Sequence, residues 1–278
     1  MNRKAQGIES IKTLIFVLIV GGVILLLVFV LMHNINKSAS SNLCLASISL
    51  VAQNKGDLNC ARGVEFLKKS DFDDANLLKK KIASTVVSCS SSVGMGKVNP
   101  FIKDTYKSRS NCLVCSDMNF ESNGTVDNLI YWSALNNIPG SKTETFFRRM
   151  TGKEPSTRTI EILQSLNGYG KIDASRNYSV FWKVDSKNYW DNIFDGYLSN
   201  EPVKLLDNKM NVVEYKIIGN KLDESVIVGE DFFGFVVNVD EDKEFVSSVW
   251  VAPDDFVLSA FDISGDVNVG SVCYYVHN

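Results

Sequence analysis

The sequence predicts an α+β protein: a single N-terminal transmembrane helix, a helical cysteine-bearing block, and then a mainly antiparallel β-sheet domain. Three observations carry that expectation. Thr13 to Met32 is an apolar run without a charge, and at about 1.5 Å per residue it spans roughly 30 Å, the thickness of a bilayer's hydrocarbon core. Between Asp74 and Cys89 apolar residues recur at helical spacing. From Asn177 onward the pattern changes to period two, rich in β-branched and aromatic residues, the signature of strands.

Arg3, Lys4 and Lys12 precede the apolar run with only Glu9 in opposition, and the first cation beyond it is Lys37. The positive-inside bias therefore makes residues 1–12 a cytoplasmic basic leader and 13–32 the membrane span, with everything after His33 facing outward. A cleavable secretory signal is the alternative, and Ser38-Ala39-Ser40 offers a small-residue site. Its apolar core would run about 7–15 residues, shorter than this one.

The charged leader Arg3-Lys4-Ala5 followed by Gln6-Gly7-Ile8-Glu9 resembles the class III signal peptides of archaeal pilins and archaellins. The resemblance covers the first thirty residues or so. It implies a prepilin-type peptidase as a partner, a cut between Ala5 and Gln6, and retention of the apolar helix on the mature subunit. The family commonly keeps a Glu at the fifth mature position. Here Glu9 would be fourth after that cut, and a cut before Ala5 would restore the spacing.

Charge is uneven. Of 29 basic and 32 acidic residues, the stretch 221–278 holds only two basic, Lys221 and Lys243, against twelve acidic. An acidic C-terminal sheet excludes nucleic acid as its partner, and leaves the lipid bilayer and a second copy or another surface protein as the expected partners. Six cysteines, Cys44, Cys60, Cys89, Cys112, Cys115 and Cys273, all fall on the outer side, where an even number reads as up to three disulfides. Fifteen full connectivities are open; the one adopted here joins Cys44 to Cys60, Cys89 to Cys112, and Cys115 to Cys273.

Residues 33–127 form the expected cysteine-containing helical segment. No Gly or Pro interrupts residues 24–55, so the first helix either continues as an amphipathic rod through Leu43, Ala46, Leu50 and Val51 or breaks near Ser40, where Ser and Asn compete with helical hydrogen bonds. A short helix over Ala61 to Lys69 follows, then a better one over Asp74 to Cys89 with Leu77, Leu78, Ile82, Thr85, Val86 and Cys89 on one face. Residues 96–127 read as an irregular, cysteine-pinned connection. In the α+β domain, 128–278, helices are expected over Ser141 to Met150, with Glu144 completing a capping box, and over Ser156 to Leu166. Strands follow over Tyr178 to Val184, Val212 to Ile218, Phe232 to Val239, Phe245 to Val251, Phe256 to Phe261 and Val267 to Val276. Turns near Asp240 to Lys243 and Ser264 to Asp266 join them as hairpins, with a short helix or loop over Tyr189 to Tyr197.

No strong catalytic pattern is present, and no cofactor is implied. Cys112-Leu113-Val114-Cys115 is the sharpest motif: two close thiols can resolve a mixed disulfide, yet no βαβ unit surrounds them in this reading. His33 sits at the membrane boundary and His277 is penultimate, so a Ser–His–Asp or Cys–His arrangement has one plausible base. Cys273, four residues before His277 on the same strand face, is too far for a direct hydrogen bond. The carboxylates Asp240, Glu241, Asp242, Glu244, Asp254, Asp255, Asp262 and Asp266 are calcium candidates or solvated turns. Asn36, Asn123 and Asn177 begin Asn-X-Ser/Thr sequons. The aromatic pairs Tyr131-Trp132, Phe181-Trp182, Tyr189-Trp190 and Tyr274-Tyr275 line either a groove or a core. The expected role is a single-pass, membrane-anchored surface protein of structural, adhesive or pilin-like kind. The alternative is a membrane-tethered thiol oxidoreductase using Cys112 and Cys115.

Overall fold

The computed structural model describes residues 19–25, 42–53, 55, 57–101, 111–166, 168–187, 203–206, 212–218, 225–240, 242, 244–254 and 275–277. These form an α+β structure built on one nine-stranded, mainly antiparallel sheet. The strands are β1 (Gly63–Leu67), β2 (Asn111–Phe120), β5 (Tyr178–Ser186), β6 (Val203–Leu206), β7 (Val212–Ile218), β8 (Val226–Val228), β9 (Phe233–Asp240), β10 (Phe245–Pro253) and β11 (Tyr275–His277). Their order is β1-β2-β5-β10-β9-β8-β7-β6, and β11 joins β2. A separate two-stranded ribbon pairs β3 (Thr125–Val126) with β4 (Ile172–Asp173).

The expected membrane-spanning helix is not supported. Within 13–32 only residues 19–25 are described, as helix. Among the described residues no helix is long and apolar enough to cross a membrane. Residues 42–52 are described as helix, which buries Cys44, Ser47 and Ile48 on one face and leaves Leu43 and Leu50 exposed.

The helices that cover the sheet are α1 (Ala75–Ser92), α2 (Leu129–Leu135), α3 (Phe146–Thr151) and α4 (Thr157–Ser165). Asp74 caps α1 by accepting from the N–H groups of Asn76 (2.9 Å) and Leu77 (3.2 Å). Leu78, Ile82, Val86 and Cys89 are buried, while Leu77 at the edge of that face is half exposed. Ser156 caps α4 as expected, accepting from Thr159 N–H at 3.1 Å. The expected capping box is a turn instead. Ser141 Oγ does accept from Glu144 N–H (2.9 Å), but the helix starts at Phe146 under a cap from Thr145 (3.1 Å).

Two strands replace expected helix and loop. Gly63–Leu67 is β1, not part of a helix, and Asn111–Phe120 is a ten-residue strand, not an irregular connection. They pair in parallel, Gly63 with Ser116 through Leu67 with Phe120, so β1, α1 and β2 make a βαβ unit. Parallel pairing needs such a crossover between the strands. The last strand also differs: β11 is parallel to β2, with Val276 opposite Cys112. The preceding strand candidate at 256–261 lies outside the described residues, as do the turn at 264–266 and the segment 189–197. The hairpin after Asp240 is present, with Phe245 opposite Asp240.

Strand β5 lies between β2 and β10 and is buried on both faces. Val180, Trp182 and Val184 join the core beneath the helices, together with Val249, Val251, Phe233 and Phe235. The turn after α1 is fixed to this sheet because Ser247 Oγ (3.0 Å) and Asn238 Nδ2 (3.3 Å) both donate to the Gly96 carbonyl. On the opposite face, Phe181 stacks on Trp250, which stacks on Phe232, with ring centroids 6.3 and 5.9 Å apart. Trp250 lies flat over Gly234, where a Cβ would stand 2.8 Å from its Cδ2; no other residue leaves that space. Polar residues on this face are satisfied in place. Trp250 Nε1 donates to Ser248 Oγ at 2.7 Å, and Lys183 meets Asp185 at 2.8 Å with both side chains almost wholly buried.

Candidate functional site

The cysteines converge where the βαβ unit meets the helix over 42–52. That helix is closed onto the approach to β1 by Cys44–Cys60, the first pairing expected. The second bond joins Cys89 to Cys115, not to Cys112. The reason is the alternation of β2. Cys89 is buried on the sheet-facing side of α1, Leu113 and Cys115 pack on that same helix-covered side, and Cys112 stands opposite Lys183 on the other face. Cys112 is itself disulfide-bonded and no described cysteine is free. Cys273 lies outside the described residues, as do Ala5, Gln6, Asn36 and His33.

This arrangement differs from an exchange centre. Such a centre needs its two cysteines bonded to each other, with the attacking one at a helix start where the thiolate is stabilised. Here the pair sits inside a strand, and its members are committed to different bonds. Removing Cys89–Cys115 with a double Cys89→Ser, Cys115→Ser substitution releases a loop of 26 residues. The expected cost is about 3 kcal/mol in the chain-entropy model. Urea unfolding of the oxidised parent and the variant measures it.

Between α1, β1 and the Cys44–Cys60 loop lies an open cleft of about 570 Å³. Ser84 and Ser88 line one wall, Glu65 and Ser116 another, with Leu77 and Lys80 also on the lining. Its volume suits a small molecule. It contains no aromatic platform and no buried charge.

Next to the cleft-lining residues Gly63 and Ser116, Arg62 makes a two-pronged bond to Asp117 (2.7 Å for both Nε and Nη2). Ser179 Oγ donates its proton to Asp254 (2.6 Å), shared with Asp117 (3.2 Å), so three strands are tied by one network. Nearby, Lys81 Nζ donates to both oxygens of Asp71 at 2.8 Å, and Lys68 N–H adds a third bond. Lys81 first, then Lys68, holds the Asp71 carboxyl below its ordinary value. Burial is the main cause that pushes the Tyr178 phenol up to about 12.

A carboxyl depressed in the fold stabilises above its unfolded value, about 3.9, and that contribution is lost as pH falls through the folded value. Asp71→Asn should therefore be less stable than the parent at pH 7, and the gap should close below about pH 4. Urea midpoints across pH 3–7 check this; a gap independent of pH would contradict it.

Among the described residues no group of three or more His, Cys, Asp or Glu is placed to hold a metal ion. Of the calcium candidates, Glu241, Asp255, Asp262 and Asp266 lie outside the described residues. The aromatic pairs separate by face. Trp182 is in the helix-covered core and Phe181 on the opposite face, while Trp132 is partly buried, donating Nε1 to Asn76 Oδ1 at 3.0 Å. Comparison with protein-family models, with curated proteins and with solved structures finds no match to this chain.

Proposed function

We propose that this chain is a non-catalytic protein of the cell membrane whose folded domain lies outside the cytoplasm and serves a structural, adhesive or pilin-like role. The observation that supports it best is the bracing of the first third of the domain. Two disulfides fasten the helix over 42–52 and α1 onto the sheet edge, and such bonds persist in oxidising compartments. The open cleft between them is lined by serine and threonine hydroxyls with Glu65, Lys80 and Lys81, and Lys81 is already paired with Asp71.

In this reading the leader before Gln6 is removed by a prepilin-type peptidase, and the mature subunit associates with further copies or with another surface protein. The N-terminal mass of protein isolated from its native cell envelope tests it. A start at Gln6, or at Ala5, supports processing of the pilin kind. A start at Met1 or Asn2 removes that part of the proposal.

The thiol oxidoreductase reading stands behind it, because Cys112 and Cys115 are bonded to different partners.

A further inference from the structure

Two sequons lie side by side at one end of the sheet, and the fold treats them differently. Asn123-Gly124-Thr125 follows β2 and enters β3; Asn177-Tyr178-Ser179 enters β5. The two segments are neighbours, since Ala174 N–H donates to the Gly124 carbonyl at 2.8 Å and Thr125 stands opposite Asp173. Both asparagines are exposed.

The hydroxyl residues separate them. Ser179 is 1% exposed, and its hydroxyl is engaged by Asp117 and Asp254. Its neighbour Tyr178 is fully buried, with its phenol oxygen accepting from Asp173 N–H at 2.9 Å. A transferase that reads Asn, the middle residue and the hydroxyl together meets a closed surface there. Thr125 is exposed, and Gly124 between it and Asn123 brings no side chain to the surface.

We propose that Asn123 is a site of N-linked glycosylation on the folded domain and that Asn177 is not. This rests on the extracytoplasmic reading above. The donor class is a glycan carried on a polyprenyl phosphate or diphosphate. The Asn123 side-chain nitrogen forms a bond to the sugar's anomeric carbon as the bond from that carbon to the carrier's phosphate oxygen breaks. The carrier leaves with the bonding electron pair, and the amide gives up one proton. The glycan would then stand on the turn beyond β2, whose residues do not line the cleft beside α1.

Glycopeptide mass spectrometry on protein from native cells is the test, with Asn123→Gln and Asn177→Gln variants and external protease applied to intact cells. The expected result is a sugar mass on the Asn123 peptide, abolished in Asn123→Gln and retained in Asn177→Gln. An unmodified Asn123 peptide on protein that the external protease reaches overturns this proposal alone, as does modification confined to Asn177. Protein shielded from the protease overturns the extracytoplasmic reading, and this proposal with it.

Discussion

Replacing Lys183 with methionine is expected to destabilise the fold by about 3–5 kcal/mol, because it removes the ammonium 2.8 Å from a buried carboxylate. Lys183 Nζ sits 2.8 Å from Asp185 Oδ2, their side chains are 3% and 1% exposed, and the ammonium lies 5.3 Å from the centroid of the Trp250 ring. For a chain of this size such a loss corresponds to a fall in Tm of the order of 10 °C. The informative companion is Lys183→Met combined with Asp185→Leu. Desolvating two charges consumes most of what their attraction returns, so apolar residues of similar volume should recover most of the loss. Thermal melts of both variants measure this. A double variant as damaged as the single would contradict it.

Trp182→Ala should cost a similar amount, about 3–5 kcal/mol. Trp182 is fully buried at the centre of β5, opposite Leu113 on one neighbour and Val249 on the other, and its ring packs 5.9 Å from Phe101. Trp182→Phe should cost far less. The indole Nε1 finds no hydrogen-bond partner among the described residues, so the tryptophan already carries a desolvation penalty that phenylalanine removes. Part of the lost packing is offset in this way. Denaturant unfolding should therefore place Trp182→Phe well above Trp182→Ala, within about 1.5 kcal/mol of the parent.

Much of this core was legible in the sequence because the signals are local. The period-two runs at Tyr178, Val212 and Phe245 begin strands at those same residues, and Asp74 and Ser156 act as helix caps where a short polar side chain precedes an apolar face. Failures arise where a partner far along the chain decides the outcome. Gly63 to Leu67 carries Val64 and Phe66 alternating with Glu65, a strand signal too short to outweigh the neighbouring lysines. It becomes β1 because β2, more than forty residues later, supplies its ladder. Cys112 to Cys115 drew attention as a motif, and its thiols obscured the apolar run of a central strand.

The cysteine pairing shows the same limit. Cys89 could be placed on the buried side of α1 from helical periodicity. Which of Cys112 and Cys115 faces it follows from the strand Asn111–Phe120, whose alternation puts Cys115 on the helix-covered side with Leu113. Read as an irregular connection, that stretch offers no alternation to decide it. The candidate cleft was equally hidden, since its walls come from the 42–60 loop, β1 and α1 together.

The most direct test of the central claim, a disulfide-braced domain outside the cytoplasm, is non-reducing peptide mapping. It is applied to protein taken from native cells after rapid alkylation of free thiols. The account predicts peptides cross-linked Cys44 to Cys60 and Cys89 to Cys115, with neither pair alkylated. Recovery of these four cysteines as alkylated thiols, or a bond joining Cys112 directly to Cys115, would contradict it.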